Sequence, residues 1–315
     1  MTSCPTSSSM DFTPCPDRFA RAPRVPEHGP LLSTHLHPPS AALHGALAAV
    51  VTRDTRSAGL SDTQRLSHFP ASPLVCLTIY QGFDVGLVRT SDGVSRWSAF
   101  GTRATLSGSQ SLPTTSWAPR DGRGVLICLP VSVVKPLLGV DPLALQDRFV
   151  CAYDAMGDDW RPFLDALVAA QDDTTSLAVL DTFLGPRWTS VRPERTPLGA
   201  LRLAGQRWVE GLAFQALEWR RTHSPRQVER RIKAHTGRSL REWQALVKTE
   251  SAFFSARDSF ESGQPFDWAA LAHDEGFADQ AHMSRMSKRV TGFSPGEFAR
   301  RYLEDESFWL YRLWV

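Results

Sequence analysis

The sequence predicts a multidomain α and β protein, with an antiparallel β-rich N-terminal domain followed by an all-α C-terminal domain built on two helix-turn-helix units. Three observations carry this. The chain has 315 residues, enough for about two domains at roughly 150 residues each. Between Phe69 and Pro130, short apolar runs alternate with turn residues. From Thr196 onward the apolar period is helical, and it contains an internal repeat. A composition of 42% hydrophobic and 22% charged residues belongs to a globular chain and excludes collagenous or wholly disordered classes. No stretch reaches the roughly 18 uninterrupted apolar residues of a membrane helix, and MTSCPTSSSMDFTPCPDRFA lacks a basic run followed by an apolar core. A cytoplasmic protein with no membrane partner is the expectation.

The elements follow in chain order. The first forty residues hold eight prolines and ten Ser/Thr, a composition that buries too little apolar area to offset its ordering entropy. Residues 1–39 therefore read as a mostly disordered tail. Next come LVCLTIY, DVGLVRT, SRWSAFG, TRATLSG and RGVLICLP, separated by Gln81-Gly82, Ser91-Asp92-Gly93 and Asp121-Gly122. This is the alternation of an antiparallel sandwich or barrel and sets a β-rich sensing or dimerisation domain at 40–155. Val131 to Leu138, a short helix capped by Asp141 with Pro142 at its first position, Trp160 to Ala170 and Ser176 to Leu184 read as helices. Connecting helices are placed at 156–200, the double helix-turn-helix at 201–303, and an apolar tail at 304–315. That tail, Ser307-Phe-Trp-Leu-Tyr-Arg-Leu-Trp-Val315, is too apolar to stand in water and is expected to dock.

Chemistry-bearing clusters are few. Cys4, Cys15, Cys76, Cys128 and Cys151 are odd in number with no CxxC, so neither a disulfide framework nor a zinc knuckle is written. Cys76 and Cys128 read as small buried hydrophobes. His35-Leu-His37 has the spacing of two strand-borne metal ligands, but it lies in a proline-rich stretch without a paired glutamate a few residues on, and metal is set aside there. No GxSxG, HExxH, P-loop or GxGxxG occurs. The expectation is a non-enzyme without a cofactor. Trp97 and Trp117 fall in the β region, either as the wall of an apolar ligand pocket or as plain core.

The net charge of +2 conceals an uneven distribution. Residues 1–199 carry 17 Lys/Arg and 18 Asp/Glu, residues 200–301 carry 17 and 12, and the last 14 carry 1 and 3. A basic block between neutral and acidic ones points to a polyanion partner for that block alone. Within it, a shift of 55 residues lays SPRQVERRIKAHTGRSLREW (224–243) over DQAHMSRMSKRVTGFSPGEF (279–298). Arg230 falls on Arg285, Lys233 on Lys288, Gly237 on Gly292, Ser239 on Ser294 and Glu242 on Glu297, so one supersecondary unit is used twice.

Each copy has designed ends. Ser224, Pro225 and Gln227 supply an N-cap, a first-turn proline and an amide at the third position, while Gly237 and Gly292 supply the left-handed stop. Ser239 to Glu242 and Ser294 to Glu297 are capping boxes that open the following helices. Val228 and Ile232 in one copy, and Met283, Met286 and Val290 in the other, form narrow apolar stripes. The opposite faces are basic and polar, with the forked donors that suit base edges in a major groove. A helical period from Ser239 to about Asp258 makes a rod of roughly 30 Å, close to the roughly 34 Å between successive major-groove turns.

LAHDEGFADQAHMSRMSKRVTGFSPGEF (271–298) resembles the signature of AraC/XylS-type transcription regulators, and SPRQVERRIKAHTG resembles that family's first recognition helix. The resemblance covers about one hundred residues, from roughly Leu201 to Tyr302. It implies two helix-turn-helix motifs joined by one long helix. It also implies base contacts from Arg226, Glu229 and Arg230 and from Gln280, Ala281, His282, Ser284 and Arg285, with Lys233, Arg238, Lys288 and Arg289 on phosphates. Three positions depart from the family pattern: Thr222 replaces a turn glycine, Glu218 a small packed residue, and Ser287 a large apolar anchor. GDDW and the preceding VVKPLLGVDPLALQDRFV (133–150) resemble the cupin-like N-terminal module of a subgroup that binds effectors or dimerises. The partners so implied are double-stranded DNA, a small-molecule effector, a second copy of the chain and, for an activator, RNA polymerase. The alternative is a small-molecule-sensing or protein-interaction module whose DNA-binding domain has degenerated at those three positions; a metal-bearing cupin enzyme fused to a DNA module is the further rival.

Overall fold

The computed structural model describes residues 13–25, 32–191, 224–236, 239–240, 242 and 279–313. The expected layout holds, with antiparallel sheets in the N-terminal part and helices in the C-terminal part. Eleven strands are described: β1 Thr13–Pro14, β2 Ser33–His37, β3 Ala49–Asp54, β4 Ser67–Phe69, β5 Val75–Gln81, β6 Gly86–Ser91, β7 Val94–Ala99, β8 Ala104–Ser107, β9 Thr114–Trp117, β10 Arg123–Leu129 and β11 Phe149–Cys151. One sheet has the order β1-β7-β6-β9-β4 and the other β11-β8-β5-β10-β3-β2. The β6–β7 hairpin turns on Asp92 and Gly93, both at positive φ (53° and 75°). Such a two-residue loop matches the twist of the flanking strands.

Alternation along the six-stranded sheet sorts its side chains. Val50, Leu77, Ile79, Leu106, Val125 and Ile127 face a core shared with helices α1 (Val131–Leu138), α3 (Arg161–Ala169) and α4 (Asp173–Val191). A five-residue helix, α2 (Ala152–Met156), joins β11 to that layer. Their neighbours Val51 and Leu126 point the other way, onto Trp309 and Leu310. Each such aliphatic side chain taken fully from water contributes about 1.5–3 kcal/mol. Trp97 and Trp117 form a T-shaped pair at 5.6 Å, both buried with Leu66 and Val88. Trp97 Nε1 donates to Trp117 O and Trp117 Nε1 to Asp62 O; both are core side chains.

Sheet and helices are also joined by a polar network around Arg123, which is 1% exposed. Its guanidinium donates to Gln81 Oε1, Ala170 O, Asp173 Oδ1 and Ser176 Oγ. Burying a guanidinium is costly unless it is paired and hydrogen-bonded; here one carboxylate and three further acceptors take its two terminal amino groups.

Two expectations differ. Asp141-Pro142 opens no helix: Asp141 Oδ1 accepts the Leu143 amide at the head of a run of turns. That run is cut short by Asp147 at φ 56° and the start of β11 at Phe149. Part of the expected tail is laid down in order. β1 pairs with β7, Ala22 is fully buried and Arg21 binds Asp305. A Pro/Ser-rich segment lacks a core of its own, and here it borrows one from distant elements.

The C-terminal end docks as a 3-10 helix over Glu306–Arg312. Trp309 Nε1 donates to Ser67 Oγ at 2.9 Å, the Trp309 ring meets Phe69 edge-on, and Arg53 lies over its face at 4.7 Å.

Candidate nucleic-acid interface

The first copy of the repeat forms α5 (Pro225–Thr236). Its start is the reciprocal cap that the sequence predicts: the Ser224 amide donates to Gln227 Oε1 and the Gln227 amide to Ser224 Oγ. Val228 and Ile232 are buried together with Leu240 packed on them. Arg226, Glu229, Arg230 and Lys233 are exposed. Ser239 and Glu242 close a second reciprocal box, with the Ser239 amide on Glu242 Oε2 and the Glu242 amide on Ser239 Oγ. Arg238, Gly237, Thr222, Glu218 and nearly all of the expected long helix lie outside the described residues.

The second copy forms α6 (Gln280–Thr291). Asp279 caps it, accepting the His282 amide at 2.6 Å, and its carboxylate also suits the positive end of the helix dipole. Gly292, at φ 87°, ends it with its N–H on Lys288 O; that left-handed conformation suits glycine. Ser294 Oγ then accepts the Glu297 amide at the head of α7 (Pro295–Glu304). The Glu297 carboxylate turns to Arg300 and Arg301 and does not close the box. Partial burial raises its pKa, yet hydrogen bonds from Arg301 and Arg300 hold it below the usual carboxylate range.

Around α6 the side chains sort as the stripe demands. Met283, Ser287 and Val290 are buried and Met286 is half-buried; Gln280, Ala281, Arg285, Lys288 and Arg289 are exposed; His282 and Ser284 are half-buried. Ser287, 1% exposed, forms a polar clasp within the buried stripe. Its Oγ donates to Phe293 O at 2.8 Å, and Thr291 Oγ1 donates to Ser287 O at 2.8 Å and accepts from the Phe293 amide. The buried hydroxyl therefore has its partner, and it satisfies a carbonyl just past the helix end. Arg289 reaches Glu242 at 3.7 Å, a link between the two copies.

Sequence reasoning missed the ground on which α6 stands. Ala71 N–H donates to Val290 O at 2.7 Å. Phe293 meets His68 edge-on at 5.1 Å and Phe308 at 5.1 Å. Arg301 donates to Phe19 O, Ala20 O and Asp305. Asp305 in turn takes Arg21. His68, 2% exposed, sits at the centre. Burial, then the charges of Arg301 and Arg18, push its pKa down to about 3, so the imidazole is neutral.

No protein-family model matches the chain, and no curated protein does either. Solved structures of ToxT from Vibrio cholerae match the chain at low identity. An apo variant is 11% identical over 88% of this chain and 98% of its own, with a TM-score of 0.35. ToxT bound to (E)-4-(8-methylnaphthalen-1-yl)but-3-enoic acid is 12% identical over 85% and 97%, with a TM-score of 0.36. Unsaturated fatty acid bound wild-type ToxT is 12% identical over 87% and 96%, with a TM-score of 0.33. At these values the likeness carries no function over to this chain.

Proposed function

We propose that the protein is a sequence-specific DNA-binding transcription regulator of AraC type, whose α5 and α6 read adjacent turns of one major groove. The observation that supports it most is the repeated build of the two helices. Each is capped at its start, buried along a narrow stripe and open along the opposite face, with Arg226, Arg230 and Lys233 on one and Gln280, Arg285, Lys288 and Arg289 on the other. In this reading Lys233, Arg238, Lys288 and Arg289 neutralise phosphates and supply affinity that falls with salt. Arg226, Glu229, Arg230, Gln280, His282, Ser284 and Arg285 read base edges, and Ala281 offers a methyl. The division of the chain follows: residues 201–303 bind DNA, the β-rich part receives a small-molecule effector or a second copy, and an activator would meet RNA polymerase. In this reading the protein works in the cytoplasm and is a regulator, not an enzyme.

The test is a set of shift assays on the protein's own upstream DNA against random duplex, across salt. Arg285→Ala is expected to lose about 1–3 kcal/mol of discrimination at one position, whereas Lys233→Ala weakens both duplexes alike and flattens the salt slope by about one. Equal losses on both duplexes for Arg285→Ala would remove base readout from the proposal.

A further inference from the structure

Strand β2 carries His35 and His37 two residues apart, so both side chains leave the same face of the strand. That face meets the first turn of α4. His35 Nδ1 lies 2.9 Å, and His37 Nε2 3.2 Å, from the same oxygen, Asp173 Oδ2. The three ligand atoms lie within 4.8 Å of one another. From this convergence we propose that His35, His37 and Asp173 bind a divalent transition metal of the zinc type, with water at an open fourth position.

The arrangement has the parts such a site needs. A zinc ion sits about 2.0–2.2 Å from imidazole nitrogen and carboxylate oxygen, which in a tetrahedron sets ligand atoms about 3.4 Å apart. The two histidine-to-aspartate separations reach that value by opening only a few tenths of an ångström. The carboxylate is already aimed: Arg123 donates to its other oxygen, Oδ1, at 2.8 Å, and Thr52 Oγ1 donates to Oδ2 at 2.9 Å. Hydrogen-bonded second partners of this kind orient ligating carboxylates. Arg123 is itself buried and fixed by Gln81, Ala170 and Ser176. The site is open for entry, since the side chains of His35, His37 and Asp173 are 56%, 21% and 27% exposed. Two imidazoles and one carboxylate select zinc or a neighbouring transition metal over calcium or magnesium, which take oxygen ligands. The bound ion would pin β2 to α4 and so stabilise the β-rich part. None of this depends on the DNA reading.

The full-length chain, stripped with chelator and dialysed, is titrated with Zn²⁺ and, as a spectroscopic probe, with Co²⁺. Expected are one ion per chain, visible Co²⁺ bands of tetrahedral intensity, and a Tm that rises with free Zn²⁺ because only the folded state holds the ion. In His35→Gln/His37→Gln the affinity falls by at least about 100-fold, beyond the 10–100-fold cost of losing a supporting partner, and the bands and the Tm gain disappear. His35→Gln alone, at the more exposed position, keeps the fold and is expected to lose at least about tenfold. A wild-type chain without stoichiometric uptake, or variants that bind as tightly as it does, would overturn the site.

Discussion

The two copies of the repeat share their caps and their open faces but stand on different ground. Among the described residues, α5 buries Val228 and Ile232 against Leu240. α6 rests on the β-rich part and the C-terminal 3-10 turn: Val290 O takes the Ala71 amide, and Phe293 closes a ring cluster with Phe298 and Phe308. On the open faces the repeat keeps Arg230 and Lys233 as Arg285 and Lys288, while the ground beneath the two helices differs.

The largest expected effect strikes that footing. Phe308 is fully buried among Phe293, Phe298, Tyr311 and His68. Phe308→Ala should lower stability by about 3–5 kcal/mol, the cost of an aromatic removed from a packed core. Denaturant midpoints measure the loss. Amide exchange should rise across 279–304 while α5 is unchanged. A loss below about 1 kcal/mol would show that α6 does not depend on this cluster.

A second effect sharpens the contrast through pH. His68 has a folded pKa of about 3 against about 6.5 when unfolded. Below pH 6.5 the unfolded chain takes up a proton that the folded chain refuses, so stability is lost as pH falls from 6.5 toward 3 and is fully present above 6.5. The slope is about 1.4 kcal/mol per pH unit in that window. His68→Phe should remove this share of the slope while leaving other acid-sensitive groups in place. Unfolding free energies at pH 7, 5.5 and 4.5 for both proteins give the difference, and parallel curves would contradict it. The loosening should appear first around Phe293, since its ring lies against the imidazole.

Local pattern and distant contact divide what the sequence makes legible. The Ser224 cap, the β6–β7 turn at Asp92-Gly93, the glycine stop at Gly292 and the buried pairs Val228/Ile232 and Met283/Val290 follow from spacing within a dozen residues, and the structure has them, whereas the Asp279 cap comes from the structure alone. The partnership of Arg123 with Asp173, of Arg21 with Asp305 and of Ala71 with Val290 joins residues 50, 284 and 219 positions apart. No period or cap encodes such pairs. His35 and His37 show the boundary: their spacing is visible, but their third companion lies on α4, 136 residues beyond His37. Ser287 shows it from the other side. A serine within an apolar stripe reads as a packing fault until Phe293 O is seen to take its hydroxyl.

The smallest effect separates the two helix starts. Ser224 caps α5 with a neutral hydroxyl, and Asp279 caps α6 with a carboxylate 2.6 Å from the His282 amide. Ser224→Ala and Asp279→Ala should each cost about 1 kcal/mol as a lost cap. Only the second also removes a charge from the helix dipole, worth about 0.3–1 kcal/mol at low salt. Asp279→Asn keeps the cap and discards the charge, so its cost should fade as salt is raised, and amide exchange in α6 at two ionic strengths would show this. The same substitution removes a negative charge from the end of the helix proposed to enter the groove. It should therefore tighten binding to every duplex alike, most at low salt, while Ser224→Ala leaves the charge on α5 unchanged. If Asp279→Asn instead weakened binding to one sequence and spared the rest, Asp279 would be reading a base, and its carboxylate would belong with the recognition residues.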